Sequence, residues 1–217
     1  MKLNALKICG ISDPETALFC AAQGAGAIGV VFFSKSPRNV SAERATEILA
    51  PLPENIAKVG VFVNMPIEKL LQTAETAGLT TVQMHGSESN EDIELALQAG
   101  YRVIKVLKTT GEQLLNDAQN LPHGTGVMIE LSKGSLPGGN GSVWDWETAS
   151  ILAGKRSFAL AGGLTAENIK EASVASGATA LDLSSAVENA PGVKDRNKII
   201  ELISVAENLN LNRIFWR

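Results

Sequence analysis

AIGVVFFSKSPRNVSAERATEILAPLPENIAKVGVFVN (27–64) contains one complete unit of this chain's architecture. AIGVVFF (27–33) is an almost unbroken apolar run, as expected of a strand covered on both faces. A helix is predicted from about Ser41 to Leu49, and KVGVFVN (58–64) is the next covered strand. A strand, a helix and a second covered strand in that order make a parallel crossover unit.

The same alternation runs through the rest of the chain. LKIC (6–9) reads as a strand, and SDPE (12–15) after it is a capping-box pattern with Pro14 near the first helical turn. Further strands are read at TTVQMHG (80–86), RVIKVLK (102–108), GVMIEL (126–131), SFALAGG (157–163) and ALDLSS (180–185). Helices are expected from Pro66 to near Gly78, up to Gly100, around 112–119, from Trp146, up to Gly177, and from Asp195 to Asn208. That makes eight strand–helix units and points to an α/β chain folded as one (β/α)8 barrel over 1–217. A doubly wound open sheet is the rival, but it usually has fewer strands.

Composition narrows the function. Of 217 residues, 45% are hydrophobic and 19% charged, with a net charge of −4. There is no basic clustering for nucleic acid and no apolar run long enough to span a bilayer. The start, MKLNALKICGI, has no secretory pattern, so a cytoplasmic location is expected. Two cysteines, Cys9 and Cys20, make neither a disulfide framework nor a metal motif.

Active sites of barrels lie at the carboxyl ends of the strands. Topology therefore selects Cys9, Arg38, Asn64, His85, Lys108, Glu130, Gly162, Gly163 and the run from Asp182 to Ser185. The loops after strands seven and eight often bind phosphate. Gly162 and Gly163 would let backbone approach an anion, and Ser184 and Ser185 add hydroxyl donors; ordinary turn chemistry is the competing reading. Cys9 is either a small buried hydrophobe or a reactive group whose thiolate is favoured by Lys7, two residues back on the same strand face. Glu130 closes an apolar run, VMIEL (127–131), either as a solvent-facing strand end or where a proton is wanted. Gln83 and His85 point the same way along their strand, to line a pocket or to hydrogen-bond within the core.

KICGI, GVVFFSKSPRNVS, VGVFVN, VQMHGSE, LPGGNGSVWDW, LAGGLTAENI and LDLSSAVENAPGVKD, taken together, resemble the phosphoribosylanthranilate isomerases from about Lys7 to Ile199. The resemblance implies a (β/α)8 barrel with no metal and no organic cofactor. It implies an Amadori rearrangement of N-(5-phosphoribosyl)anthranilate to 1-(o-carboxyphenylamino)-1-deoxyribulose 5-phosphate, in tryptophan biosynthesis. By its motifs Cys9 would be the general base, Arg38 the grip on the anthranilate carboxylate, and Asp182 a group near the ribose. The partner would be this small phosphosugar, for a monomer or homodimer.

Two positions depart from the family's pattern. The general acid is an Asp in the family, and the matching residue here is Glu130, with the loop LSKGSLPGGNG expected to absorb the extra methylene. Ala186 stands where the family has Gly, which would be strained if that position needs positive φ. The rival from another class is a barrel that binds a phosphosugar without turning it over. Indoleglycerol-phosphate synthase and a histidine-pathway isomerase are sibling enzymes that the Cys at strand one and the single SPR motif fit less well. The tail IFWR (214–217) is read as packing on the barrel's base rather than marking a subunit contact.

Overall fold

A computed structural model describes residues 4–131, 144–209, 211 and 215–216. Strands β1 (Asn4–Cys9), β2 (Ala25–Phe32), β3 (Ala57–Phe62), β4 (Thr81–Met84), β5 (Arg102–Leu107), β6 (Gly126–Glu130), β7 (Phe158–Ala161) and β8 (Ala180–Leu183) form a closed barrel. Each pairs in parallel with the next, and β8 returns to β1 with Lys7 opposite Asp182. This is the (β/α)8 barrel expected from the apolar runs. The open doubly wound sheet is excluded by the β8–β1 seam.

The helices are α1 (Pro14–Gln23), α2 (Ala42–Leu49), α3 (Ile67–Thr76), α4 (Asn90–Gln98), α5 (Gly111–Gln119), α6 (Ile169–Ser176) and α7 (Arg196–Ala206). Three local readings change. The cap of α1 is Asp13, not Ser12: its carboxylate accepts from the Thr16 N–H at 2.8 Å, with Pro14 starting the helix. The full reciprocal capping box lies at Ser89 and Asp92 on α4. The helix expected from Trp146 is a 3-10 helix, Trp146–Leu152, stopped by Ala153 and by Gly154 at φ +71°. Short segments of this kind readily take the tighter helix. After β8 the chain adds a small hairpin not foreseen in the sequence, β9 (Glu188–Ala190) and β10 (Val193–Lys194), turning at Pro191 and Gly192. Gly192 has φ +83°, which suits glycine in such a turn.

The strand period of two sorts the side chains. One set faces the helices and builds the larger apolar layer. The other points into the barrel. Its lower part is floored with small side chains: Ala5, Ala27, Ala57, Ala159 and Ala180. Phe215 and Trp216 fill the space these leave, packed edge to face with centroids 4.9 Å apart. Arg102 ties the segment down by donating to the Phe215 carbonyl at 2.8 Å. The tail therefore packs within the chain at the barrel's base; Ile214 and Arg217 lie outside the described residues.

Trp216 is only 1% exposed, so its removal should leave a cavity. Trp216→Ala is expected to lower stability by about 3–5 kcal/mol. Urea denaturation checks this; a loss near the ordinary surface value of about 0.5 kcal/mol would show that the ring does not pack inside the barrel.

Candidate active site

Above the alanine floor the inward positions of four strands turn polar, while those of β2, β3, β5 and β7 stay apolar. On β1 the order is Ala5, Lys7, Cys9; on β8 it is Ala180, Asp182 and then Ser184 beyond the strand; on β6 it is Met128, Glu130. β4 contributes Gln83, with His85 just past its end. The sequence candidates Cys9, Arg38, Gln83, His85, Glu130, Gly162, Gly163, Asp182, Ser184 and Ser185 line one cavity at the carboxyl end of the barrel. Asn64 and Lys108, also strand-end candidates, do not line it.

The lowest polar layer is an ion pair. Lys7 Nζ donates to Asp182 Oδ1 at 2.8 Å, and Lys7 is 0% exposed. The Trp216 ring lies below, its centroid 5.9 Å from the ammonium, within cation–π range. Burial lowers the Lys7 ammonium, but the charges of Asp182 and Cys9 and their hydrogen bonds outweigh it, so the pKa rises and Lys7 stays charged. Asp182 is pushed upward by burial against the pull of Lys7.

Cys9 sits one step above Lys7 on the same strand face. Here the expectation from sequence needs correcting. Burial pushes the Cys9 thiol up by more than Lys7 pulls it down, and Asp182 adds to the rise. The resting group is a thiol, not a thiolate. Gly29 on the next strand leaves space for both side chains: a Cβ there would lie 2.8 Å from Lys7 Cε and 3.1 Å from Cys9 Sγ.

Glu130 is buried at 4% exposure, so it is not a solvent-facing strand end. Its Oε2 is 3.0 Å from His85 Nε2, yet the two are out of line for a hydrogen bond, and the nitrogen has no hydrogen-bond partner among the described residues. Gln83 reaches Met128 Sδ with its amide nitrogen at 3.6 Å, while its buried oxygen has no partner among the described residues. Lys108 donates to the His85 carbonyl at 3.1 Å from outside the cavity wall. The loop expected to accommodate Glu130 lies outside the described residues from 132 to 143. What borders the carboxylate is Trp144, whose indole donates to the Ala161 carbonyl at 3.2 Å, and Gly162.

Gly162 and Gly163 have φ +86° and +69°, a conformation open to glycine but strained for other residues. Ser184 and Ser185 face them from the neighbouring loop, and the Ser184 hydroxyl donates to the Cys9 carbonyl at 3.1 Å. Ala186 carries no left-handed strain: among the described residues Asn64 is the one non-glycine residue at positive φ.

Arg38, its side chain 10% exposed, is paired with a buried carboxylate. Its Nε and Nη2 donate to Glu188 Oε1 and Oε2 at 2.8 and 2.6 Å. Lys194 holds the same carboxylate at 2.7 Å and also donates to the Ser184 carbonyl at 3.0 Å. Burial raises the Glu188 carboxyl, but Arg38 and Lys194 outweigh it and leave the pKa below the usual range. Glu188 and Lys194 received no role from the sequence. Their signal was there: opposite charges flanking a Pro-Gly turn in VENAPGVKD face each other once that turn closes. Among the described residues no group of three His, Cys, Asp or Glu side chains is placed to hold a metal, and no helix is long and apolar enough to cross a membrane.

The chain is similar to known proteins. The family model described as N-(5'phosphoribosyl)anthranilate (PRA) isomerase matches residues 6–205. The N-(5'-phosphoribosyl)anthranilate isomerase of Rubrobacter xylanophilus is 38% identical over 203 residues, 94% of this chain and 98% of its own. The crystal structure of phosphoribosyl anthranilate isomerase from Thermotoga maritima superposes with a TM-score of 0.85 at 35% identity, covering 96% of this chain and all of its own (100%). A crystal structure of a phosphoribosyl anthranilate isomerase in complex with reduced 1-(o-carboxyphenylamino)-1-deoxyribulose 5-phosphate matches with a TM-score of 0.81 at 34% identity, over 96% of this chain and 100% of its own.

If Lys7 opposes burial at Cys9, its loss should raise the thiol further. Lys7→Met is expected to move the pH profile of Cys9 alkylation by iodoacetamide to higher pH. An unmoved or lowered midpoint in folded protein would remove Lys7 from control of the thiol.

Proposed function

The chain belongs to the N-(5'-phosphoribosyl)anthranilate isomerase family, and from that membership we propose how its site carries out the family's reaction. It catalyses the Amadori rearrangement of N-(5'-phosphoribosyl)anthranilate to 1-(o-carboxyphenylamino)-1-deoxyribulose 5-phosphate in tryptophan biosynthesis. The reaction needs one group to give a proton and another to take one. Glu130 protonates the furanose oxygen, and the ring opens to a Schiff base. Cys9, once deprotonated, removes the C2′ proton, and the enolamine tautomerises to the ketone. Each positioned acid or base is worth about 10²–10⁴-fold.

One observation supports this reading above the rest. Glu130 on β6 and Cys9 on β1 line different parts of one cavity, and the Gly162–Gly163 and Ser184–Ser185 loops follow the two strands between them. Gly162, Gly163, Ser184 and Ser185 take the phosphate. Arg38 takes the anthranilate carboxylate, for which its planar fork is suited. Asp182 lies against the sugar while holding Lys7. Gln83, with its unpaired oxygen, and His85, with its unpaired nitrogen, offer the substrate polar contacts. The raised pKa of Cys9 leaves less thiolate near neutrality, but the thiolate that forms is a stronger base, and the Lys7 ammonium limits the loss. We assign residues 1–217 to one barrel domain, acting in the cytoplasm as a monomer or homodimer on a small phosphosugar, without nucleic acid or membrane.

The assay follows the loss of phosphoribosylanthranilate fluorescence. Cys9→Ala should fold normally and bind the reduced product while kcat falls by about 10²-fold or more. Activity within tenfold of wild type would remove Cys9 from the mechanism. Glu130→Gln keeps the size of the side chain but cannot cycle a proton, so it should lose most of kcat and still bind product. Glu130→Asp should retain activity well above the Gln variant. Equal activity of Gln and wild type would assign the acid elsewhere, with Asp182 the next candidate.

A further inference from the structure

We infer that Glu188 is a positioning residue that fixes the Arg38 guanidinium for the substrate carboxylate, and that Lys194 holds Glu188 in place. The inference rests on the proposed role of Arg38 and adds the residues that would make its grip selective.

Arg38 lines the cavity, whereas Glu188 and Lys194 do not; they stand behind it on the β9–β10 hairpin. A competitor for the substrate would have to occupy the cavity, and Glu188 lies outside it. Of the five N–H donors of a guanidinium, Glu188 takes one from Nε and one from Nη2. The remaining three include both on Nη1, which with the second on Nη2 form a bidentate edge for another carboxylate. A free arginine side chain has about 2 kcal/mol of rotamer entropy to lose on binding. Here the guanidinium is already fixed, and its stem is confined too. A Cβ at Gly10 would run into Arg38 Cδ, and one at Gly192 would come within 3.9 Å of Arg38 Cγ.

Charge supports the same reading. Arg38 and Lys194 are two cations on one carboxylate, with side chains 10%, 2% and 4% exposed in the order Arg38, Lys194, Glu188. Cys9, the other acidic group that acts on both cations, rests as a thiol. Buried charges are normally paired, so the trio is one anion short. A ligand carboxylate on Arg38 completes it. Lys194 also donates to the Ser184 carbonyl, and to its hydroxyl at 3.4 Å, so the carboxylate grip and the loop assigned to phosphate share one support.

The test compares two ligands by calorimetry: reduced 1-(o-carboxyphenylamino)-1-deoxyribulose 5-phosphate and its phenylamino counterpart without the carboxylate. Glu188→Gln keeps the shape but removes the charge. It should weaken the carboxylate ligand by about ten- to a hundredfold and the other by less than about twofold. In turnover KM should rise while kcat stays near wild type. Lys194→Gln also loosens the Ser184 loop, so it should weaken both ligands, the carboxylate ligand several-fold more than the other, and it serves as the test if Glu188→Gln does not fold. Equal weakening of both ligands would mean a structural role only and overturn the inference. Tighter binding of the carboxylate ligand would overturn it too, because Glu188 would then be competing for Arg38. Arg38→Ala separates the two readings. If it weakens both ligands equally, the assignment of Arg38 itself fails. If it is selective while Glu188→Gln is not, the positioning role alone fails.

Discussion

The Lys7–Asp182 ion pair lies at the seam where the eighth strand returns to the first. Burying two such charges is expensive, several kcal/mol per ion even after relaxation. A pair of well-packed hydrophobic residues would close the same seam at no such cost. What the ion pair adds is an ammonium held directly below Cys9. The 2.8 Å contact keeps that ammonium charged where burial would neutralise it. The Trp216 ring seals it from below, and the small alanines of the floor leave room for that ring. Packing at the base and proton chemistry at the mouth thus meet at a single lysine.

Much of this was legible in the sequence because it is local. The apolar runs and their spacing set the order of strands and helices, and barrel topology then picked out most of the cavity's polar lining, though Asn64 and Lys108, chosen the same way, do not line it. Pairings between distant residues were not legible. Lys7 and Asp182 are 175 residues apart, and Arg38 and Glu188 are 150 apart. They meet only because the ring closes and the β9–β10 hairpin folds back. The state of Cys9 was misjudged for a related reason. Sequence shows a lysine two residues away, which argues for thiolate; it does not show the depth of burial, and burial wins. The cap at Asp13 was one residue off because SDPE offers two capping side chains and only the backbone decides between them.

The net charge of −4 also conceals the character of the cavity. Its ligand carries a phosphate and a carboxylate, and the cations that answer them are few but buried. Arg38 and Lys194 are supported on one carboxylate, and Lys7 is balanced by Asp182. At low exposure each cation counts for more than a surface lysine, because solvent does not screen it. A chain can therefore be acidic overall and still present a cavity suited to an anion.

Glu130 in place of the family's aspartate raises a question of room. The extra methylene must lie somewhere inside the mouth, beside the residues that line it. The structure provides the space at Gly162. A Cβ on that residue would come 3.2 Å from Glu130 Cγ and 3.1 Å from Trp144 Nε1, closer than most such contacts. Gly162 thus has two reasons to be glycine. Its φ of +86° turns the backbone toward the position proposed for phosphate, and its missing side chain gives the longer acid a place beside the indole. His85, 3.0 Å from the carboxylate on the other side but unaligned with it, limits how far the acid can swing without bonding it. The longer side chain is therefore flanked by a glycine and an imidazole, and in the mechanism proposed above that confinement is what would hold the acid toward the substrate.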